Sequence, residues 1–524
     1  MRKWCFMGLG ILFWLAACTQ PPAPTPVVDS VTAVPPTLTI EPDAANQDSP
    51  LTIDDATASS IRQLTILYTN DEHGWMAGME PDEGAANLVG LWQEREGYAP
   101  DDDSFLLLSG GDMWTGPAIS TWFAGESMAA VMNEMGYAAT AVGNHEFDFG
   151  LDGLQAREAQ SDFPFLSANI RRRSDGTIPT DLGIQPYTIV TANGIQVGII
   201  GLTTTSTPRT TNPVNVAEFE FIDYETALRE IVPEVTAAGA ELILVPAHIC
   251  QGELEALAQK IGDLGVDLLG GGHCNELFAK EINGMVVLEG GYHLTSYARA
   301  TFQFDTATDT VVDVSYGVET NMGGTADPTI ATIVNQWQSL ADAELSEVIG
   351  YTDEGLARRS PEMQALIVES WLQAMPTAHV AITNMGGMRA ALAPGALTLG
   401  DVIGVMPFNN VIVDVQLTGQ QLLRILAFAI GDAAVGGVHL DGATWRFNDT
   451  GEPVDPNETY SLLVNDFMYA GGDGYELLAE FDPLAYNTAV DWRQPVIDWL
   501  IAQDSSAERP LDEAIHNLMV VRNP

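Results

Sequence analysis

LTILYTNDEHGW, residues 64–75, is the stretch whose reading decides the fold. A short apolar run gives way abruptly to Asn70, Asp71, Glu72 and His73, then to Gly74. Such a run, rich in Leu, Ile and Tyr, reads as a buried strand with polar side chains at its C-terminal mouth. In extended backbone residues i and i+2 project to one side, so Asp71 and His73 are expected to converge while Glu72 faces away. A converging carboxylate and imidazole are two ligands of one cation, or a capping aspartate beside an unrelated histidine. The segment alone is compatible with both.

Working outward, the pattern repeats. SFLLLS (104–109), AATAVG (138–143), FPFLSA (163–168), ELILVPAH (241–248) and VDLLGGGH (266–273) read as further buried strands. Helical stretches such as ESMAAVMNEMG (126–136) and YETALREIVPEVTAAG (224–239) lie between them. Asn193-Gly194, between alternating apolar runs, predicts a hairpin. Parallel strands plus hairpins imply a layered α/β domain with two packed sheets. DPTIATIVNQWQSLADAELSEVIG, from residue 327, reads as one long helix. It leads to a second block that mixes helices (MQALIVESWLQAM, TGQQLLRILAFAI) with strands (NVIVDVQL, TYSLLVND). A linking helix between two blocks puts a candidate site in the cleft between them.

All the first-domain strands except FPFLSA end in polar groups, where α/β folds place their sites. They are Asp71 and His73; Asp112; Asn144, His145 and Asp148; His248; and His273 with Asn275. Four of the eight histidines fall at such ends, which scatter would rarely produce. Oxygen and imidazole donors without thiolate suit Zn²⁺, Mn²⁺ or Fe²⁺, and the set is too large for one ion and sufficient for two.

The 524 residues carry 71 acidic and 21 basic side chains, a net charge of −50, and beyond residue 3 Lys260 and Lys280 are the lysines. That balance argues against binding to nucleic-acid polymers, whose phosphates need Lys and Arg. An anionic substrate would need a locally positive site built from metal ions or the few arginines. The basic, then apolar, start MRKWCFMGLGILFWLAACTQ is too short to span a bilayer and ends in Leu15-Ala16-Ala17-Cys18. It resembles the lipobox of a bacterial lipoprotein, which implies removal of residues 1–17 and a lipid anchor on Cys18. The protein would then be exported and held on the outer face of a bacterial membrane, at the cell surface or in the periplasm. Residues 18–60 are Pro- and Thr-rich with little periodicity, an expected tether. Apart from Cys5 and Cys18, the cysteines are Cys250 and Cys274, one potential disulfide that the sequence does not decide.

The motifs Asp71-x-His73, Gly111-Asp112, Gly143-Asn144-His145-Glu146, His248 and Gly272-His273-x-Asn275 together resemble the five motifs of the calcineurin-like metallophosphoesterases. Their spelling is most similar to the 5′-nucleotidase branch, which includes periplasmic UDP-sugar hydrolases. NMGGMR (384–389), PFNN (407–410) and DFMYAGGDGY (466–475) resemble that branch's nucleotide-binding C-terminal domain. The resemblance implies an α/β/β/α metallophosphoesterase domain over 61–325, a linking helix over 326–350 and an α+β substrate-binding domain over 351–524. It places Asp71, His73 and Asn275 on one divalent ion, Asn144, His248 and His273 on a second, and Asp112 between them. His145, oriented by Asp148, would stabilise the phosphoryl group in flight. Asn384 and Arg389 would contact substrate, Phe408 and Phe467 would sandwich the base, and Asp473 would accept from sugar hydroxyls. The family also carries a phosphate arginine before the first helix of the second domain. Ala357 stands at the aligned position, with Arg358, the candidate, and Arg359 just beyond. The implied activity is release of phosphate from nucleoside 5′-monophosphates and cleavage of UDP-sugars or other nucleotide phosphoanhydrides. The rivals are a 2′,3′-cyclic-nucleotide phosphodiesterase or thiosulfate-ester hydrolase on the same scaffold, and a non-catalytic tethered nucleotide-binding protein.

Overall fold

Alternation along the strands builds the core. In a computed structural model that describes residues 60–522 except Pro81, Leu64, Ile66 and Tyr68 of the strand Ile61–Thr69 point into one apolar layer. There they meet Val197 and Ile199 of Ile195–Ile200 and Leu242 and Leu244 of Leu242–Pro246. Leu67 points the other way, into a layer with Trp92, Met128 and Met132. Each strand is buried on both faces, which is why it reads as a continuous apolar run.

Two sheets result. The seven-stranded sheet runs, in spatial order, Thr310–Thr320, Ser296–Asp305, Ile61–Thr69, Phe105–Ser109, Tyr137–Ala141, Phe165–Leu166 and Ile184–Gln185. The six-stranded sheet runs Leu277–Ile282, Met285–Gly290, Leu268–Gly270, Leu242–Pro246, Ile195–Ile200 and Tyr187–Ala192. Asn193-Gly194 turns the expected antiparallel hairpin between the last two strands. Helices cover both outer faces: Glu126–Met135 on the first sheet, and Tyr224–Ala237 and Gln251–Lys260 on the second. The layers are α/β/β/α.

Asp327 caps the helix Pro328–Leu345 by accepting from the backbone N–H groups of Thr329 and Ile330. This helix is shorter than the expected 326–350. Its last predicted residues belong instead to the strand Val348–Thr352, which pairs with Gly395–Thr398. The second block is built on a five-stranded sheet in the order Ala433–Gly436, Val380–Asn384, Thr459–Asn465, Val411–Thr418 and Tyr486–Asp491. Pro361–Ala374 packs on one face and Gly419–Ala429 on the other. The expected signal segment, Cys18 and the tether lie outside the described residues. No described helix is long and apolar enough to cross a membrane.

Candidate active site

The opening motif converges, but not for the expected reason. The strand ends at Thr69, and Asp71 (φ 50°) and His73 (φ 46°) are left-handed rather than extended. The turn is zippered to the next strand's loop: Asp71 N–H donates to Gly111 O, His73 N–H to Asp112 O and Gly74 N–H to Met113 O. These contacts, not a two-residue period, bring His73 Nε2 to 3.8 Å from Asp71 Oδ1 and 3.9 Å from Asp112 Oδ2. Glu72 does face away; its buried carboxylate accepts from the Thr69 and Ser109 hydroxyls, and burial pushes it up to about 8.

Asp112 is the hub. Its Oδ2 lies 3.0 Å from His248 Nε2 and 4.0 Å from His145 Nε2, and its Oδ1 accepts from His145 N–H at 2.8 Å. Gly143 permits this approach, since a Cβ there would collide with the Asp112 carboxylate. Glu146, quoted in the motif but given no role, holds the arrangement from below. Its carboxylate accepts from the backbone of Asp112, Met113 and Gly143, and burial raises it to about 7.

The donor chemistry fits cations. His73 Nδ1 faces Thr115 O at 2.9 Å and His248 Nδ1 faces Gly110 O at 2.8 Å. A carbonyl accepts, so each Nδ1 carries the proton and each neutral ring offers an Nε2 lone pair to the centre. His248 Nε2 then confronts Asn144 Oδ1 at 3.1 Å and His273 Nδ1 at 3.2 Å, lone pairs that repel unless a positive charge joins them. A proton on His248 can supply that charge. Burial works against it, but Asp112, followed by Asp71 and Glu146, pushes His248 up to about 10. Burial and the neighbouring His248 push His273 down to about 3, leaving it neutral and able to ligate. Two donor clusters emerge, His73–Asp112–His145 and Asp112–His248–His273, with Asp112 in both. Asn275, at φ 62°, lines the same cleft.

His145 Nδ1 and Asp148 Oδ2 are 2.7 Å apart, so the expected pair exists as a hydrogen bond. From the second block, Arg389 Nη2 reaches His73 Nε2 at 3.0 Å. Phe408 stacks on the His145 ring at 5.7 Å, and Phe467 packs on Gly472. Asp473 (φ 52°) accepts from Asn384 Nδ2 at 2.8 Å. All of these line one cleft of about 240 Å³ with His73, Asp112, Asn144, His145, Asp148 and His273, at the small end of small-molecule sites. Arg358 and Arg359 lie outside it. They donate to the carbonyls of Met388 and Met385 and line a neighbouring cavity that shares Arg389 and His73. There His293 stacks on Trp75 at 5.0 Å and stands outside both donor clusters. Cys250 and Cys274 are bonded, tying the loop after His248 to the loop between His273 and Asn275.

Sequence reasoning missed Thr210, Thr211 and Asn212, which also line the cleft. They belong to TTTSTPRTTN (203–212), which reads as an ordinary polar loop. Its one signal is position, directly after the buried strand Ile195–Ile200.

A family profile described as the 5′-nucleotidase C-terminal domain matches residues 348–480. The trifunctional nucleotide phosphoesterase protein YfkN of Bacillus subtilis is 26% identical over 84% of this chain, which spans 33% of that longer protein. A 5′-nucleotidase of Vibrio cholerae is 26% identical over 87% of this chain and 92% of its own. Among solved structures, a 5′-nucleotidase precursor of Thermus thermophilus matches with a TM-score of 0.72 at 24% identity, over 85% of this chain and 97% of its own. Residues 348–480 thus carry the 5′-nucleotidase C-terminal domain, and over most of its length the chain is similar to 5′-nucleotidases and shares their two-domain fold.

Proposed function

We propose that the chain is a metal-dependent hydrolase of nucleotide phosphoesters. It holds one divalent cation on Asp71, His73 and Asn275, a second on Asn144, His248 and His273, and shares Asp112 between them. The observation that carries this reading is the single cleft in which the carboxylate–imidazole centre of the first domain meets Asn384, Arg389, Phe408, Phe467 and Asp473 of the second. Bound there, the two cations supply Lewis-acid charge to a phosphoryl group and acidify water. The chain's own groups do the rest. Arg389 forks onto phosphoryl oxygens, a geometry lysine cannot copy. Phe408 and Phe467 stack on the base, worth roughly 1–3 kcal/mol per ring, and tolerate any base because each offers a π-face. Asp473, its Oδ2 engaged by Asn384, accepts from the sugar hydroxyls. His145 donates to the phosphoryl oxygens as charge builds on them.

The test is phosphate release from AMP, UMP, UDP-glucose, a 2′,3′-cyclic nucleotide and bis-p-nitrophenyl phosphate, with Mn²⁺ or Zn²⁺ and after chelation. Fastest turnover of a 5′-monophosphate, abolished by chelation and restored by metal, is expected. No turnover by protein carrying two ions per chain would leave a binding protein. Arg389→Ala is expected to raise KM for AMP roughly 10–100-fold, since charge-assisted hydrogen bonds are worth about 1.5–3 kcal/mol. Steady-state kinetics checks this, and an unchanged KM removes Arg389 from the phosphate site.

The exported, lipid-anchored location is also proposed, on the strength of Leu15-Ala16-Ala17-Cys18. Cys18→Ser is expected to abolish incorporation of labelled palmitate in a bacterial host; equal labelling of both proteins contradicts the anchor.

A further inference from the structure

The loop 203–215 grips the Gly143–Asp148 segment at several points. Thr203 Oγ1 donates to Val142 O at 2.6 Å, just ahead of the segment. Asn144 Nδ2 donates to Thr210 O at 3.0 Å, which turns Asn144 Oδ1 towards His248. Asn215 Nδ2 donates to Phe147 O at 2.8 Å. Thr211, 2% exposed, donates its hydroxyl to Asp148 Oδ1 at 2.9 Å, while the other oxygen of that carboxylate faces His145 Nδ1 at 2.7 Å. Both oxygens of Asp148 are therefore engaged, from opposite sides. A carboxylate held at one oxygen alone can rotate about its Cβ–Cγ bond and carry the imidazole with it; a donor on the other oxygen removes that freedom. Towards the second domain, Arg209 Nε lies 3.5 Å from Glu476 Oε1.

We propose that Thr211 is a positioning residue for His145. Its hydroxyl fixes Asp148 so that His145 donates through Nδ1 and keeps Nε2 turned to the cleft. The inference rests on the hydrolase reading above for its catalytic consequence, though not for the hydrogen-bonded chain itself. Thr211→Val keeps the shape and removes the donor; Thr211→Ser keeps the donor. In the zinc-loaded full chain with AMP, Thr211→Val is expected to lower kcat roughly tenfold, the small end of losses for residues that orient a functional group. KM, zinc content and melting temperature should stay at wild-type values, and Thr211→Ser should recover kcat to within about twofold. Independently of turnover, the His145 Nδ1–H proton resonance in ¹⁵N-histidine-labelled protein should move in Thr211→Val and stay in Thr211→Ser. A wild-type kcat in Thr211→Val overturns the proposal. So does a serine variant as slow as the valine one, or a loss that arises through melting temperature or zinc content. If the wild-type chain hydrolyses no nucleotide, the hydrolase reading fails and the resonance alone decides the role of Thr211: moved in valine only, it stands; otherwise it falls.

Discussion

Asp112→Ala is expected to leave the protein unable to keep its second cation and weakly able to keep its first. Asp112 Oδ2 is 3.0 Å from His248 Nε2 and 3.9 Å from His73 Nε2, so one oxygen serves both donor clusters. Without it, the cluster of Asn144, His248 and His273 has no anionic donor, whereas the cluster of His73 and Asn275 still has Asp71. Two imidazoles and an amide hold a divalent ion less tightly than the same set with a carboxylate added. Since loss of a group that merely orients a ligand already costs 10–100-fold in affinity, more than about 100-fold is expected at the second site. Turnover should fall at least as far, because the charge that polarises the phosphoryl group goes with the ion. The same carboxylate carries His248 up to about 10, against burial. Its removal lowers that pKa, so a proton on His248 replaces the lost metal charge less readily in the variant. The fold should survive, the direct losses being the bond from His145 N–H, about 1 kcal/mol, and the contact with His248 Nε2. Elemental analysis after desalting, beside a circular dichroism spectrum, reads the result. Two ions per chain in a folded Asp112→Ala protein would remove Asp112 from its place between the sites.

What the sequence disclosed and what it withheld divide along physical lines. Strand ends were legible because strands buried on both faces read as short apolar runs, and the polar residues that follow stand out against them. That recovers Asp71, Asp112, Asn144, His248 and His273 without any knowledge of pairing. The backbone path through Asp71 and His73 was not legible. Its left-handed turn is held by carbonyls of Gly111, Asp112 and Met113, some forty residues on, and local pattern carries no trace of such bonds. Glu146 escaped a role because its partners are backbone N–H groups, which leave no residue signature. Thr211 escaped because a threonine that completes a hydrogen-bonded chain looks like one in any turn, and its partner lies 63 residues earlier. Arg358 is expected at the substrate phosphate, but its Nε donates to Met388 O and it lines the adjoining cavity. Side-chain direction depends on contacts across the chain, and those are what a single sequence withholds.

His145→Ala separates two roles that the geometry leaves side by side. His145 Nε2 lies 4.0 Å from Asp112 Oδ2 and groups with His73 and Asp112 as a set of donor atoms within ligand distance. Its other nitrogen is bonded to Asp148 at 2.7 Å, and its ring stacks on Phe408. A ligand should take metal with it when removed; a donor to the phosphoryl group should not. The expected outcome is two ions per chain and a kcat lower by roughly 10²–10³, the loss seen when one preorganised donor to developing charge is deleted. KM should rise modestly, since the ring that faces Phe408 is gone. The pH profile sharpens the distinction. Burial lowers the His145 pKa, but Asp148 and then Asp112 outweigh it and hold the imidazolium above its ordinary 6.5. A donor must be protonated, so wild-type kcat should be full below the His145 pKa and decline as pH climbs through it. In His145→Ala the alkaline decline should vanish, because the group that loses its proton is absent. Asp148→Asn should shift the decline to lower pH, since the partner that raises the pKa has lost its charge. A His145→Ala protein with unchanged kcat, or one that has shed an ion, makes His145 a spectator or a ligand, and phosphoryl stabilisation would then fall to Arg389.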